Sequence, residues 1–470
     1  MPVAWLFFNI LRGSGLLPSL ARFYLLYFLS IYLEVVEHFN SRERRGFIVS
    51  IKRIFVLLLL FVIIPTLILW NHIGFALDDI LYAQWQSMDV DSPVFIIGNA
   101  RSGTTWLHHL LASNSTNFTT FRTWEIIFAP AVVWKILFIS LYNVDNTFCY
   151  GLIFAAIMKL ENYLLGHITV HKISLLAPEE DEWLMTHITL CQLVTFFFPL
   201  CVNIIMPIIM FDYKDDTTTT SRSLDATTKD VIFKYYHSCV QKHLYTFNVL
   251  YARGSTNKIF LSKNPPFTLR IETIKKHFNN CKIICIVRDP VESIPSMISY
   301  IGMGWRAFAT PSAQNKYPNA RDLLYFCIAH YMYPLQQESN WPAYQYAFVS
   351  YHHLKKSLKA TMAALLQKLE LYQLILNTNG AEFTKTLHVE ELIARVYVSN
   401  HHHSVELTCN MKEEELKKSL DVVYTKFRSY FDECGSCRVT SEVPSEQREV
   451  DNSPDDSRIK KKRSHKHRLN

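Results

Sequence analysis

The chain has 470 residues, of which 49% are hydrophobic, 14% aromatic and 19% charged, with a formal net charge of +7. That length holds one large domain with additions or two modest ones, and the apolar content excludes a disordered chain. The low charged fraction points to a globular core that also carries membrane-contacting surface, and the small net charge, part of it in the tail from Arg458 to Arg468, argues against a nucleic-acid-binding face while leaving an anionic small ligand open.

In chain order, Phe23 to Phe39 is apolar but carries Glu34 and Glu37, which suits an amphipathic interfacial helix better than a span. Ile54 to Trp70 then gives 17 apolar or small residues without a charge, the lower length for crossing a bilayer core of about 30 Å. Arg42, Arg44, Arg45, Lys52 and Arg53 precede it, whereas Asp78, Asp79, Asp89 and Asp91 follow it before the next basic residue, Arg101. The positive-inside rule then puts the N-terminus in the cytosol and the bulk in a lumen, a single-pass arrangement of the Golgi or endoplasmic reticulum; the alternative is a buried or interfacial helix, favoured by Pro65. No cleavable signal pattern is present at the N-terminus. The expected organisation is an anchoring region over 1–90, one catalytic domain over 91–437 and a disordered basic tail over 438–470.

Val94 to Ile97 is a continuous apolar run, as in a parallel strand buried on both faces, and it leads into Gly98-Asn99-Ala100-Arg101-Ser102-Gly103-Thr104-Thr105. Trp106 to Leu111 has helical spacing. Strand, small-residue loop and helix together aim backbone N–H groups and a positive helix end at an anion, and Arg101 adds a planar cationic fork. The spacing of Gly98 and Gly103 copies a Walker A loop, but Thr104 stands where a nucleoside triphosphatase has its Lys. Asn114 and Asn117 open two N-glycosylation patterns, to be occupied only on a lumenal domain.

Two later stretches, 126–160 and 185–211, are strongly apolar; the second carries His187, Gln192 and Asn203 and reads as a cover over the core or an apolar entrance at a membrane surface. Glu179-Glu180-Asp181-Glu182 reads as the acidic first turn of a helix. Further strands are expected over 258–262, 282–287 and 346–350. Arg288 ends the 282–287 strand and Ser296 lies eight residues on, in a helical stretch, so the two can grip one phosphate from two sides. The cysteines are scattered, a single CxxC (Cys434, Cys437) lacks a second pair, and adjacent His401, His402 and His403 do not converge on one ion, so no metal site is expected.

The segment from Phe95 to Leu111 resembles the phosphosulfate-binding loop of sulfotransferases, usually G-x-P-[KR]-S-G-T-[ST], with Ala100 where Pro is common. The nearest resemblance is to the broad family 3 type, related to the tyrosylprotein and Golgi carbohydrate enzymes. It implies a three-layer P-loop-like α/β fold, a short parallel sheet flanked by helices with an N-terminal membrane segment. It further implies that Arg101, Ser102, Gly103, Thr104, Thr105 and Trp106 hold the 5′ side of 3′-phosphoadenosine 5′-phosphosulfate, and Arg288 and Ser296 its 3′-phosphate, with no metal required. Lys263, after the 258–262 strand, matches the Lys that approaches the leaving phosphate. Tyr351-His352-His353-Leu354 sits where the family often has Y-E-D-L, without the acids.

For the general base the resemblance offers three candidates. Glu125, 24 residues after Arg101, is the first choice, its apolar neighbourhood expected to raise its pKa. Glu180 lies in a P-E-E-D-like element, and His171 follows the cytosolic enzymes, which use His. The acceptor is a hydroxyl of a lipid, sterol, glycan or protein tyrosine, the apolar segments favouring the lipid and the lumenal side the glycan or tyrosine. The rivals are a P-loop kinase and an inactive membrane-bound nucleotide-binding protein.

Overall fold

The computed structural model describes residues 13–40, 51–166, 173–214, 224–252, 257–308, 320–396 and 412–431. His171, the His401–His403 run, Cys434, Cys437 and the tail lie outside the described residues.

Five parallel strands form the centre: β1 (Val94–Gly98), β2 (Phe118–Thr119), β3 (Ile259–Lys263), β4 (Lys282–Val287) and β5 (Tyr346–Ser350), in the order β2-β3-β1-β4-β5. Every residue of β1, β4 and β5 is buried, which is why these segments are unbroken apolar runs. Alternate residues serve opposite faces. Val94, Ile96, Ile284, Ile286, Ala347 and Val349 pack with Leu107, Leu110 and Leu111 of α3 (Thr104–Ala112) and with Met362 and Leu365 of the helix Leu358–Lys368, whereas Phe95, Ile97, Ile283, Cys285, Tyr346 and Phe348 face the other core. That alternation gives the expected three layers. β2 was not anticipated, since two residues carry no period.

The N-terminal helices α1 (Leu16–Asn40) and α2 (Ile51–Leu81) share the second core: Phe23, Leu26, Tyr27, Leu57, Leu60 and Ile68 belong to the same buried cluster as Phe95. Arg22 of α1 is buried and donates from Nε to the Ile188 carbonyl at 3.1 Å. Near the other end of the helix pair, buried Arg53 is paired with Glu34 and donates from Nη1 to the carbonyls of Phe197 (3.2 Å) and Phe308 (2.5 Å). At the far end of α2, Asp78 accepts from the N–H groups of Val132 (2.9 Å) and Val133 (2.8 Å), capping α5 (Val132–Phe148), and pairs with Lys242 at 3.1 Å. α4 (Thr123–Phe128) lies just before α5.

Two described helices are long and apolar enough to cross a membrane, over Leu16–Val36 and Lys52–Leu81; α5 and α6 (Leu152–Leu165) would pass together but are bent by 116°. The sequence points to one such segment of 17 residues, because Glu34 and Glu37 make Phe23 to Phe39 read as an interfacial helix. The span Leu16–Val36 starts before Phe23 and ends before Glu37, so α1 qualifies by length and composition as well, and Glu34 within it is paired with Arg53. Asn114 and Asn117 are both buried, and Asn117 Nδ2 donates to Asn114 Oδ1 at 3.1 Å, so neither side chain can carry a glycan in this fold.

Candidate active site

The loop after β1 is fixed by backbone conformations that glycine tolerates. Gly98 has φ of 136° and Gly103 φ of 94°; a Cβ would strike the Ile286 carbonyl at the first and the Tyr351 ring at the second. Thr268 braces the entry, accepting from Gly98 N–H (2.8 Å) and donating to its carbonyl (3.0 Å). Arg101 itself adopts φ of 67°, strained for a residue with a side chain. Gly103 is the N-cap of α3 and no side chain caps that helix, so its first-turn N–H groups are available to an anion. The buried hydroxyl of Ser102 has no hydrogen-bond partner among the described residues.

The second motif meets this loop directly. Arg101 Nε donates to Ser296 Oγ at 3.0 Å, and Arg288 Nη1 donates to the Arg101 carbonyl at 2.9 Å. Arg288 also lies over the Tyr351 ring, 4.5 Å from its centre, and its own carbonyl accepts from Tyr331 OH at 2.6 Å. Ser296 stands on α7 (Pro290–Phe308). Burial, reinforced by Arg288, lowers the Arg101 pKa, with Tyr300 and Glu180 opposing. The Arg288 guanidinium also pairs with Glu292 at 2.8 Å, and with Arg101 it places a second cation at the loop, where an anion would find both. Trp106 takes no part in the cavity wall; its indole donates to Glu390 at 3.1 Å and its ring meets Tyr351 edge-on.

The four acids at 179–182 separate by environment. Glu180 precedes the 3₁₀ turn Asp181–Ile188, as the helix-start reading expected, and accepts from Lys263 Nζ at 2.8 Å; Glu179 is 3.8 Å from the same nitrogen. Asp181 is buried, accepts from Tyr236, Ser262 and Asn264, and is pushed up to about 7 by desolvation against those bonds. Glu182 is committed to Arg270 (3.0 Å), Cys191 Sγ (2.8 Å) and Gln192 N–H (2.9 Å).

Glu125 is placed differently from the sequence reading. It is buried in α4, accepts from Arg122 N–H at 2.8 Å as part of a capping box, and its other oxygen is 3.4 Å from His243 Nδ1. Desolvation pushes its pKa up, but His243 and Lys135 outweigh this and leave it below the ordinary carboxylate range, not above it.

A cavity of about 580 Å³ opens beside the loop. Its polar lining includes Arg101, Gly103, Thr104, Thr105, Arg288 and Glu180; most of the remainder is apolar and aromatic, from 192–210 and the helices after β4. Glu125, Lys263, Ser102 and Ser296 are not in the wall. Tyr300 was missed in the sequence, since a lone Tyr in a helical stretch carries no motif, and Tyr351 was read only as the first residue of a Y-E-D-L-like element, not as the ring beneath Arg288. Among the described residues no group of three or more His, Cys, Asp or Glu is arranged to hold a metal.

Residues 206–373 match the model of the Sulfotransferase family. Sulfotransferase STF9 from Mycobacterium avium shares the fold with a TM-score of 0.58 at 14% identity, over 87% of this chain and 93% of that one. Residues 206–373 thus carry the family's pattern, and the chain adopts the fold of these sulfotransferases. Sulfotransferase STF1 from Mycobacterium tuberculosis H37Rv aligns with a TM-score of 0.51, also at 14% identity, over 84% and 91% of the two chains. No curated protein sequence matches the chain. The family match contains Lys263, Arg288 and Ser296 and begins after the Gly98–Thr105 loop, so the loop's part in the site rests on its geometry.

Proposed function

We propose that the chain is a sulfotransferase that uses 3′-phosphoadenosine 5′-phosphosulfate as donor and a hydroxyl compound as acceptor. The observation that carries the reading is the junction of Arg101 with Ser296 and Arg288, two motifs almost two hundred residues apart meeting at one anionic ligand's scale. The residues fit such a donor: an uncapped helix start and an unpartnered Ser102 hydroxyl for the 5′ side, with a second guanidinium and a serine for a separate phosphate. Thr104 in place of Lys counts against a triphosphate.

When bound, the donor supplies the sulfuryl group: the acceptor oxygen forms the new O–S bond as the S–O bond to the bridging phosphate oxygen breaks, and that oxygen leaves with the electron pair on 3′-phosphoadenosine 5′-phosphate. The chain's residues position and neutralise. Arg101 and the α3 N–H groups hold the 5′ side, Arg288 and Ser296 the 3′-phosphate, and Lys263 brings positive charge towards the leaving oxygen. Glu180, in the cavity wall and ion-paired with Lys263, takes the acceptor proton. Glu125 and His171 remain sequence candidates, Glu125 now with a cap to serve. The apolar helices support attachment to an endomembrane, and the basic residues before α2 support a lumenal catalytic side.

Titration of the detergent-solubilised full chain with 3′-phosphoadenosine 5′-phosphate tests the donor. Arg288→Ala should weaken binding by about 10- to 100-fold, and adenosine 5′-phosphate should bind far less well. Indifference to the 3′-phosphate together with magnesium-dependent ATP turnover would replace this reading with a kinase.

A further inference from the structure

We infer that the acceptor is an apolar alcohol resident in the lipid bilayer and taken from it into the cavity, an inference that rests on the sulfotransfer reading above. The starting point is how α2 is fastened. Arg53 in its first turn holds the carbonyls of Phe197 and Phe308, and Asp78 near its end caps α5, so the helix is clamped to the fold over 25 residues, a length of about 38 Å. A helix clamped at both ends cannot leave the fold to enter a bilayer of about 30 Å alone. Whatever is tied to its first turn goes with it.

Between the clamps α2 is apolar and turned outward: Phe55 is 64% exposed, and Leu58 and Val62 are each 62% exposed. Such a face is large for a soluble surface and suits lipid. The carbonyls tied to Arg53 lie directly beside the cavity wall. Phe196, next to Phe197, and Trp305, one turn before Phe308, both line the cavity, and the Phe197 and Phe308 rings meet at 5.2 Å. The back of the same wall packs on α1, where Phe198 lies 6.2 Å from the Phe23 and Tyr27 rings. The acceptor cavity is therefore walled by the segment that joins the membrane helices to the catalytic core.

The lining matches the location. Leu193, Phe196, Val202, Met206, Ile209 and Phe326 present hydrocarbon, while two of the polar members are turned to the main chain: Thr195 Oγ1 donates to the Gln192 carbonyl and His330 Nδ1 meets the Phe326 carbonyl, each at 2.9 Å. A glycan needs polar partners on most of its faces. An alcohol with one hydroxyl near Glu180 and a hydrocarbon body does not.

The full chain is reconstituted in phosphatidylcholine vesicles containing cholesterol or hexadecan-1-ol, with a tyrosine peptide and a galactose oligosaccharide in the aqueous phase and donor labelled with radioactive sulfate. Label is expected in the lipid extract, and Met206→Trp, which fills the cavity, should lower that labelling about tenfold while 3′-phosphoadenosine 5′-phosphate still binds. Label confined to the peptide or oligosaccharide, or bound nucleotide with no lipid label, overturns the apolar acceptor and leaves the donor reading standing. Failure of the wild-type chain to bind the nucleotide overturns the donor reading and this inference with it.

Discussion

Glu180 and Glu125 are both carboxylates near a phosphate loop in sequence, and only their surroundings distinguish them. Glu180→Gln should lower kcat by about 10²- to 10⁴-fold with nucleotide affinity nearly unchanged, measured by sulfate transfer and by titration. Glu125→Gln, by contrast, removes one partner of a buried pair with His243 and should cost about 3 kcal/mol of stability, seen as a lower Tm, with catalysis in the surviving folded fraction retained. The sequence put Glu125 first for its place 24 residues after Arg101, with an apolar neighbourhood that suggests a raised pKa, but His243 and Lys135, more than a hundred residues away and ten residues away, come beside it only in the fold. Asp181 shows the effect of burial with no ion pair. Its native pKa is raised to about 7 from 3.8, so its stabilising contribution is full below about pH 4 and is lost as pH rises through 7. Asp181→Asn should flatten that part of the stability profile, read by denaturant unfolding of the solubilised protein between pH 4 and 7. A slope unaltered by the substitution would show that Asp181 does not titrate there.

At the level of elements, the strands were legible wherever both faces are buried, because an apolar run bounded by Gly, Lys or Arg has few other readings. β2 was not, since two residues are too few to show a period, and of the helical turn at Asp181–Ile188 only the acidic start was readable. The loop after β1 was readable from its glycines, but the reason for Gly103 was not: the Tyr351 ring, from the far edge of the sheet, fills the space where a Cβ would go. Gly103→Ala should therefore weaken 3′-phosphoadenosine 5′-phosphate binding by about tenfold or more, through a strained φ and displacement of the ring that supports Arg288. An affinity equal to the wild type would mean the loop can adopt another path.

For the whole molecule, the sequence separates an anchor from a catalytic domain, and the packing joins them. Composition marks which residues are apolar; it cannot show that Phe23 and Tyr27 of α1 close the same core as the sheet residue Phe95. Removal of residues 1–40 should consequently leave Phe198 and Cys201 uncovered and yield a chain that aggregates even in detergent, judged by size-exclusion chromatography and loss of nucleotide binding. A monodisperse truncated enzyme that binds nucleotide would show that α1 only tethers.

The Arg53 junction also imposes an order on synthesis. Its carboxylate partner, Glu34, is 19 residues upstream and already made when Arg53 emerges, so the two charges can enter an apolar environment as a pair. Its carbonyl partners come 144 and 255 residues later. The helix hairpin is thus chemically tolerable in lipid early, while the wall of the acceptor cavity cannot be locked until nearly two-thirds of the polypeptide has been translated.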